Sequence, residues 1–250
     1  MRLLGSLLFN IVFYISLILI CISIMILRPF VTTKKLQYFA SFWIKFLLLT
    51  LKFFCGISWK VEGLSNIPNE PCVVVSNHQG QWESLFIQTL IIPNTSIVKR
   101  ELLLIPFFGW ALRCMKPITL NRANKFSSLK KVIKKGVERI NEGYSVVLFP
   151  EGTRISPEKG IQTFANSCGL LSAKSAASVI PICHNSGRYW INKKFIKEPG
   201  VITVRIGAPI KGSDAKEITN ESYEWIKNCL LYTSDAADDT PCVDLGGRRI

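Results

Sequence analysis

The chain has 250 residues, 48% of them hydrophobic, and a mean hydropathy of +0.27. That is room for one sizeable catalytic domain plus a small membrane element, and too little for two full-size domains. Lys and Arg number 31 against 17 Asp and Glu, and the resulting net charge of +14 points to an anionic partner: nucleic acid, anionic lipid or a phosphorylated substrate.

The first element runs from Leu3 to Leu27 without a charged residue, and roughly 20 apolar residues suffice to cross a bilayer core. It is too long for a signal-peptide core and no small-x-small cleavage site follows it. Arg28, Lys34 and Lys35 come directly after, which favours a downstream chain in the cytoplasm. A second apolar stretch, Leu36 to Trp59, carries Lys45 and Lys52 on roughly one helical face. It suits a helix at the membrane interface or packed beside the first; an amphipathic helix covering the soluble domain fits the same pattern. Residues 1–58 are therefore expected to form membrane-associated helices.

From residue 59 to 228 the pattern is that of an α/β domain. Short β-rich runs recur at Cys72–Ser76, Ser96–Val98, Ile118–Leu120, Val146–Phe149, Val179–Ile182 and Val201–Ile206. Between them, Asn124–Glu142 is the clearest helix: Phe126, Leu129, Ile133, Val137 and Ile140 recur at three- and four-residue steps with lysines opposite. Strands alternating with helices predict a mostly parallel sheet flanked by helices.

The last stretch changes character. Cys229–Asp238 and Val243–Ile250 read as two translated segments of sequencing-adapter DNA in their proper order, so residues 229–250 are set aside from the fold as non-native. On that reading the domain is truncated at its C-terminus. The eight cysteines form no C-x-x-C pair and only two histidines are present, so a structural metal is not expected. Scattered cysteines of this kind read as reduced thiols in a cytoplasmic domain.

Two segments carry chemistry. Asn77-His78-Gln79-Gly80-Gln81-Trp82-Glu83 follows the run Cys72–Ser76, and α/β enzymes place their sites at the carboxyl ends of strands. Five residues along a regular helix set two side chains about 140° apart. His78 and Glu83 can therefore meet only if a helix begins around the histidine, with Asn77 a suitable N-cap. A carboxylate on one imidazole nitrogen fixes the tautomer and frees the other as a base. The second segment, Phe149-Pro150-Glu151-Gly152-Thr153-Arg154, follows another apolar run; its Pro and Gly turn the chain and display Glu151, Thr153 and Arg154. Arginine is a natural bidentate ligand for phosphate. Taken singly, a histidine near an acid is more often structural, and the second segment is equally compatible with a solvated surface turn.

Together the two segments resemble the signature of the glycerolipid acyltransferase family, an NHx4D-type box followed by an FPEGTR box. Two further blocks appear in the family's order: Lys99-Arg100-Glu101-Leu102 through Pro117-Ile118-Thr119-Leu120-Asn121-Arg122, and Val179-Ile180-Pro181-Ile182. The resemblance covers roughly residues 59–210, and the later His184-Asn185-Ser186-Gly187-Arg188-Tyr189-Trp190 is similar to bacterial 1-acylglycerol-3-phosphate acyltransferases. Glu83 stands where the family usually has Asp, which keeps the charge and adds a methylene.

The resemblance implies transfer of a fatty acyl group from acyl-CoA or acyl carrier protein to the sn-2 hydroxyl of 1-acylglycerol 3-phosphate (lysophosphatidic acid). His78 is then the general base and Glu83 its partner. It implies that Arg122, Glu151, Gly152, Thr153 and Arg154, with Lys99 beside them, line the glycerophosphate site. It also implies no cofactor or metal beyond the donor substrate, membrane lipid as surroundings, no nucleic-acid partner, and a bacterial inner membrane with the catalytic domain facing the cytoplasm. The competing readings are an acyltransferase for an ornithine- or glycine-type lysolipid and a catalytically silent lipid-binding membrane protein. His184 is expected to be structural or to support the site from behind. Trp82, Phe107, Phe108 and Trp110 are candidates for an acyl channel, or simply core or membrane-facing residues.

Overall fold

A computed structural model describes residues 1–120 and 125–238, excepting the side chains of 125–128 and 231–238. Two helices open the chain, α1 (Arg2–Leu27) and α2 (Thr33–Cys55). Helix α2 starts before the expected Leu36 because the Thr32 side chain caps it, accepting from the Lys35 N–H. It also ends before the expected Trp59. Gly56 takes the left-handed conformation (φ 66°) and closes the helix, and Ile57–Glu62 becomes a strand, β1, that periodicity did not separate from the apolar helix before it.

The two helices pair along their length: Gly5 sits against the Phe54 carbonyl, and the Trp43 indole donates to Ser16 Oγ at 3.0 Å. Both are long and apolar enough to cross a membrane. Yet α1 touches the rest of the protein at both ends. Near its start, Ser6 Oγ accepts from the Lys197 N–H (2.9 Å) and Phe9 meets Trp190 edge-on at 5.2 Å. Near its end, Ile20, Cys21 and Ile24 pack with Leu36 of α2 and Ala111 of α4 (Phe108–Cys114). The outer faces carry Leu4, Leu8, Ile11 and Ile15 of α1 and Phe42, Phe46 and Phe53 of α2, all exposed.

The domain behind them is α/β, as expected. Among the described residues seven strands form one sheet in the order β1-β7-β6-β2-β5-β3-β4. These are β2 (Val73–Ser76), β3 (Asn94–Lys99), β4 (Ile118–Leu120), β5 (Ser145–Leu148), β6 (Val179–His184) and β7 (Gly200–Ile206), beside β1. Strands β6, β2, β5, β3 and β4 run parallel; β7 is antiparallel to β6 and carries β1 in parallel at the edge. The central strands are apolar on both faces because both are covered. Val74, Val147, Ile180 and Ile182 face α1, α2 and α3 (Trp82–Leu90). Val73, Val75, Val146, Leu148 and Val179 face α5 (Lys125–Asn141), α6 (Ser167–Ser175) and α7 (Ala215–Asp238). The two N-terminal helices thus share one side of the sheet with α3, and α5–α7 take the other. Helix α5 matches the expected 124–142 within a residue at each end, and α7 continues past Asn228, with Cys229 and Leu230 against the core. Residues 239–250 lie outside the described residues.

Candidate active site

Parallel strands β2, β5 and β3 end at one level, which brings His78, Glu151 and Lys99 to the same edge of the sheet. Asn77 does not cap the next helix, as its composition suggested. Its amide Nδ2 donates to the His184 carbonyl (2.9 Å) and its Oδ1 accepts from the His184 N–H (3.1 Å), extending the β2–β6 ladder by a side-chain rung. Helix α3 begins only at Trp82, with Gln81 at the N-cap. The intervening His78-Gln79-Gly80 wraps over the Glu83 carboxylate, and this loop is what allows a spacing of five to close.

Glu83 is fully buried. Its Oε1 accepts from His78 Nδ1 (2.8 Å), from the Gln79 N–H (2.9 Å) and from the Gly80 N–H (2.7 Å). Its Oε2 accepts from Ser186 Oγ at 2.9 Å. Burial pushes its pKa up, but the imidazoles of His184 and His78 and the Gly80 amide outweigh this and hold it down at about 2. Burial lowers the pKa of His184 itself. At neutral pH that ring is uncharged, so His78 and the amides are what keep Glu83 ionised there. Gly80 leaves room for the wrap: a Cβ would stand 2.9 Å from the Trp190 carbonyl.

The His78 side chain is 16% exposed, and its ring stacks on Phe149 with centroids 4.2 Å apart. With Nδ1 committed to Glu83, Nε2 is the nitrogen left for a substrate. Its backbone is pinned as well. Glu151 Oε1 accepts the His78 N–H at 2.8 Å, and the His78 carbonyl accepts from the Ile155 N–H at 2.8 Å. Glu151 Oε2 accepts the Gln162 N–H at 3.2 Å, and burial raises the Glu151 pKa against these donors. Glu151 therefore ties the second box to the first by holding backbone. Gly152 turns with φ 68° and no neighbour near a would-be Cβ, so the position needs glycine for its dihedral alone.

Thr153 and Arg154 are exposed. Arg154 Nη1 donates to Asn192 Oδ1 at 3.3 Å and, with Gln79, Lys159 and Lys193, lines an open groove of about 300 Å³. Lys99 is exposed at the end of β3, beside Leu120 of β4 in register. Arg122 lies outside the described residues. His184 is enclosed: its Nδ1 accepts from the Ser186 N–H (3.3 Å), so Nε2 carries the hydrogen given to the Asn77 carbonyl (2.9 Å). Of the four aromatic candidates, Trp82 is core, stacked on Phe86 at 4.4 Å. Phe108 packs against the α1–α2 cluster, while Phe107 and Trp110 are exposed beside it. Among the described residues no group of three or more His, Cys, Asp or Glu side chains is arranged to hold a metal ion. Sequence reasoning gave Ser186 no role, although it lies two residues after β6 within the His184–Trp190 segment that resembles the family.

The family model "Acyltransferase" matches residues 58–185, a span that holds both boxes and the β6 block. The chain belongs to the acyltransferase family. It is 39% identical over 205 residues to the 1-acyl-sn-glycerol-3-phosphate acyltransferase of Pseudomonas aeruginosa, covering 80% of this chain and 79% of that protein. It is 32% identical over 166 residues to the chloroplastic 1-acyl-sn-glycerol-3-phosphate acyltransferase LPAT1 of Arabidopsis thaliana, covering 65% of this chain and 46% of that one. The fold is shared with the crystal structure of the 1-acyl-sn-glycerophosphate (LPA) acyltransferase, PlsC, from Thermotoga maritima. That match has a TM-score of 0.77 at 23% identity and covers 93% of this chain and 96% of the other.

Proposed function

We propose that this acyltransferase moves a fatty acyl group from a thioester to the sn-2 hydroxyl of 1-acylglycerol 3-phosphate, giving phosphatidate. The observation that carries the chemistry is the fully buried, ionised Glu83 at 2.8 Å from Nδ1 of the partly exposed His78. The acceptor is supported by the names of the Pseudomonas and Arabidopsis relatives.

His78 Nε2 takes the proton of the acceptor hydroxyl as that oxygen attacks the thioester carbonyl. Glu83 holds the ring in the tautomer with Nδ1–H and stabilises the imidazolium that forms. The tetrahedral intermediate collapses, the C–S bond breaks, and the imidazolium returns the proton to the leaving thiolate. No acyl-enzyme is needed. Arg154, in its groove with Lys159 and Lys193, supplies positive charge for the acceptor phosphate, with Lys99 and Arg122 as the further candidates. Glu151 and Gly152 act by shaping the loop. The donor is acyl-CoA or acyl carrier protein.

The α1–α2 pair seats the protein in the membrane through its exposed outer face. Because α1 meets the domain at both ends, we read it as lying along the domain within one leaflet rather than leaving it to span. The bacterial inner membrane, with the domain on its cytoplasmic side, is the proposed setting.

The test follows thiol release and phosphatidate formation by the full chain in anionic vesicles, with acyl-CoA and acyl carrier protein as alternative donors. Acceptor-dependent release is expected, and its loss in folded His78→Ala. A fully active His78→Ala overturns the mechanism; equal turnover of a lysolipid without phosphate overturns the acceptor.

A further inference from the structure

Beyond the two boxes, one side chain reaches the Glu83 carboxylate from a distant part of the chain. Ser186 lies in the turn after β6, and it is fully buried. Its hydroxyl donates to Glu83 Oε2 at 2.9 Å, across 103 positions of sequence. The Ser186 backbone has little freedom: its N–H donates to His184 Nδ1 (3.3 Å), and its carbonyl accepts the Trp190 N–H (2.9 Å). The next residue, Gly187, donates its N–H to Gln79 Oε1 at 3.0 Å, which ties the turn to the residue beside His78. Here a Cβ would stand 2.7 Å from the Gln79 side chain, so the glycine lets the turn close on the loop.

The donors are unevenly shared. Oε1 takes three donors, one of them the His78 ring, whereas Oε2 accepts the Ser186 hydroxyl. Without the hydroxyl, a buried carboxylate oxygen loses its donor, and the plane of the carboxylate is no longer held against the imidazole.

We infer that Ser186 is a positioning residue for acyl transfer: its hydroxyl orients Glu83 so that Oε1 stays on His78 Nδ1 while Nε2 works as the base. This rests on the reading of His78 and Glu83 given above. A hydrogen bond to a charged group at such a site carries on the order of a 10- to 100-fold effect, and it acts on a step made only in the transition state. The loss therefore falls on kcat, with KM for acceptor and donor little changed.

The experiment measures phosphatidate formation by the full chain in anionic vesicles against pH. It compares wild type with Ser186→Ala, Ser186→Thr, His78→Ala, Glu83→Gln and the double variant Ser186→Ala/Glu83→Gln, with melting temperature recorded for each. Expected are a roughly 10- to 100-fold lower kcat in Ser186→Ala, recovery in Ser186→Thr, and little further loss when Ser186→Ala is added to Glu83→Gln. The pH–rate profile of Ser186→Ala departs from that of wild type on its acid side, since the Glu83 carboxylate then has one donor fewer. Wild-type kcat and pH profile in Ser186→Ala overturn the inference. So does an equal loss in the Glu83→Gln background, which marks a purely structural role. An active His78→Ala instead overturns the underlying mechanism, so the two failures are distinct.

Discussion

Glu83→Gln isolates the charge of the buried carboxylate from its shape. The glutamine oxygen can keep the Oε1 position and go on accepting from His78 Nδ1 and the amides of Gln79 and Gly80. Its NH2 then faces Ser186 Oγ, a hydroxyl that can turn and accept. The tautomer of His78 and the loop are retained, and what disappears is the attraction between carboxylate and imidazolium. For unit charges about 4 Å apart at an effective dielectric of ~20, that attraction is about 4 kcal/mol. A loss of about 3–4 kcal/mol in the transition state corresponds to roughly 10²–10³ in kcat. The assay is phosphatidate formation in vesicles at saturating acceptor and donor, with the fold checked by circular dichroism. A folded Glu83→Gln within tenfold of wild type would refute the reasoning, because the carboxylate would then be doing no more than a neutral amide can.

Other consequences follow from the same geometry. Arg154→Ala should raise KM for the acceptor about tenfold or more, in line with loss of a charge-assisted phosphate contact, while leaving KM for the donor nearly unchanged. An equal rise in both, measured by initial rates, contradicts its assignment to the acceptor phosphate. Stability should fall as pH drops. His184 has a folded-state pKa below its ordinary 6.5, so the unfolded chain binds the extra proton and stability is lost below about pH 6.5. Glu83, lowered from 4.5 to about 2, adds a further loss in that more acidic window. Melting temperature in detergent is expected to decline from pH 7 to pH 5, and a flat or rising curve contradicts the neutral, enclosed His184. In the core between α5 and α6, Leu171 is fully buried and packs against the backbone at Gly136. Leu171→Ala should cost about 2–5 kcal/mol of unfolding free energy by denaturant titration and leave kcat of the folded enzyme unchanged.

The difference between what the sequence reveals and what it hides is a difference in the range of the interactions. Strands such as Val73–Ser76 and Val179–His184 are legible because a strand covered on both faces is apolar at nearly every position, and that run is a local signal. Helix α5 is legible because its covered stripe repeats at the helical period. Strand β1 is not separable from α2 by sequence, because apolar residues continue across Gly56. Only the left-handed turn at that glycine and the pairing of Ile57–Glu62 with β7, late in the chain, separate the two.

The site divides in the same way. His78 and Glu83 stand five residues apart and betray themselves by spacing, while the groups that hold them do not. By type Asn77 suits a helix cap, but its partner is His184, 107 positions away, and the local helix starts without it. The box in which Glu151 stands implies a substrate contact, yet Glu151 spends both oxygens on backbone amides, one of them that of His78. Ser186 lies in a segment that resembles the family, but no local pattern points to its partner Glu83. A polar side chain whose partner lies a hundred residues off has no periodicity to show, and burial alone makes the partnership obligatory. The proposed catalytic pair, His78 and Glu83, is written locally, and the rigidity it requires is supplied by three strands meeting at one edge of the sheet. A substitution at Asn77, Glu151 or Ser186 should therefore act on His78 and Glu83 without touching a substrate.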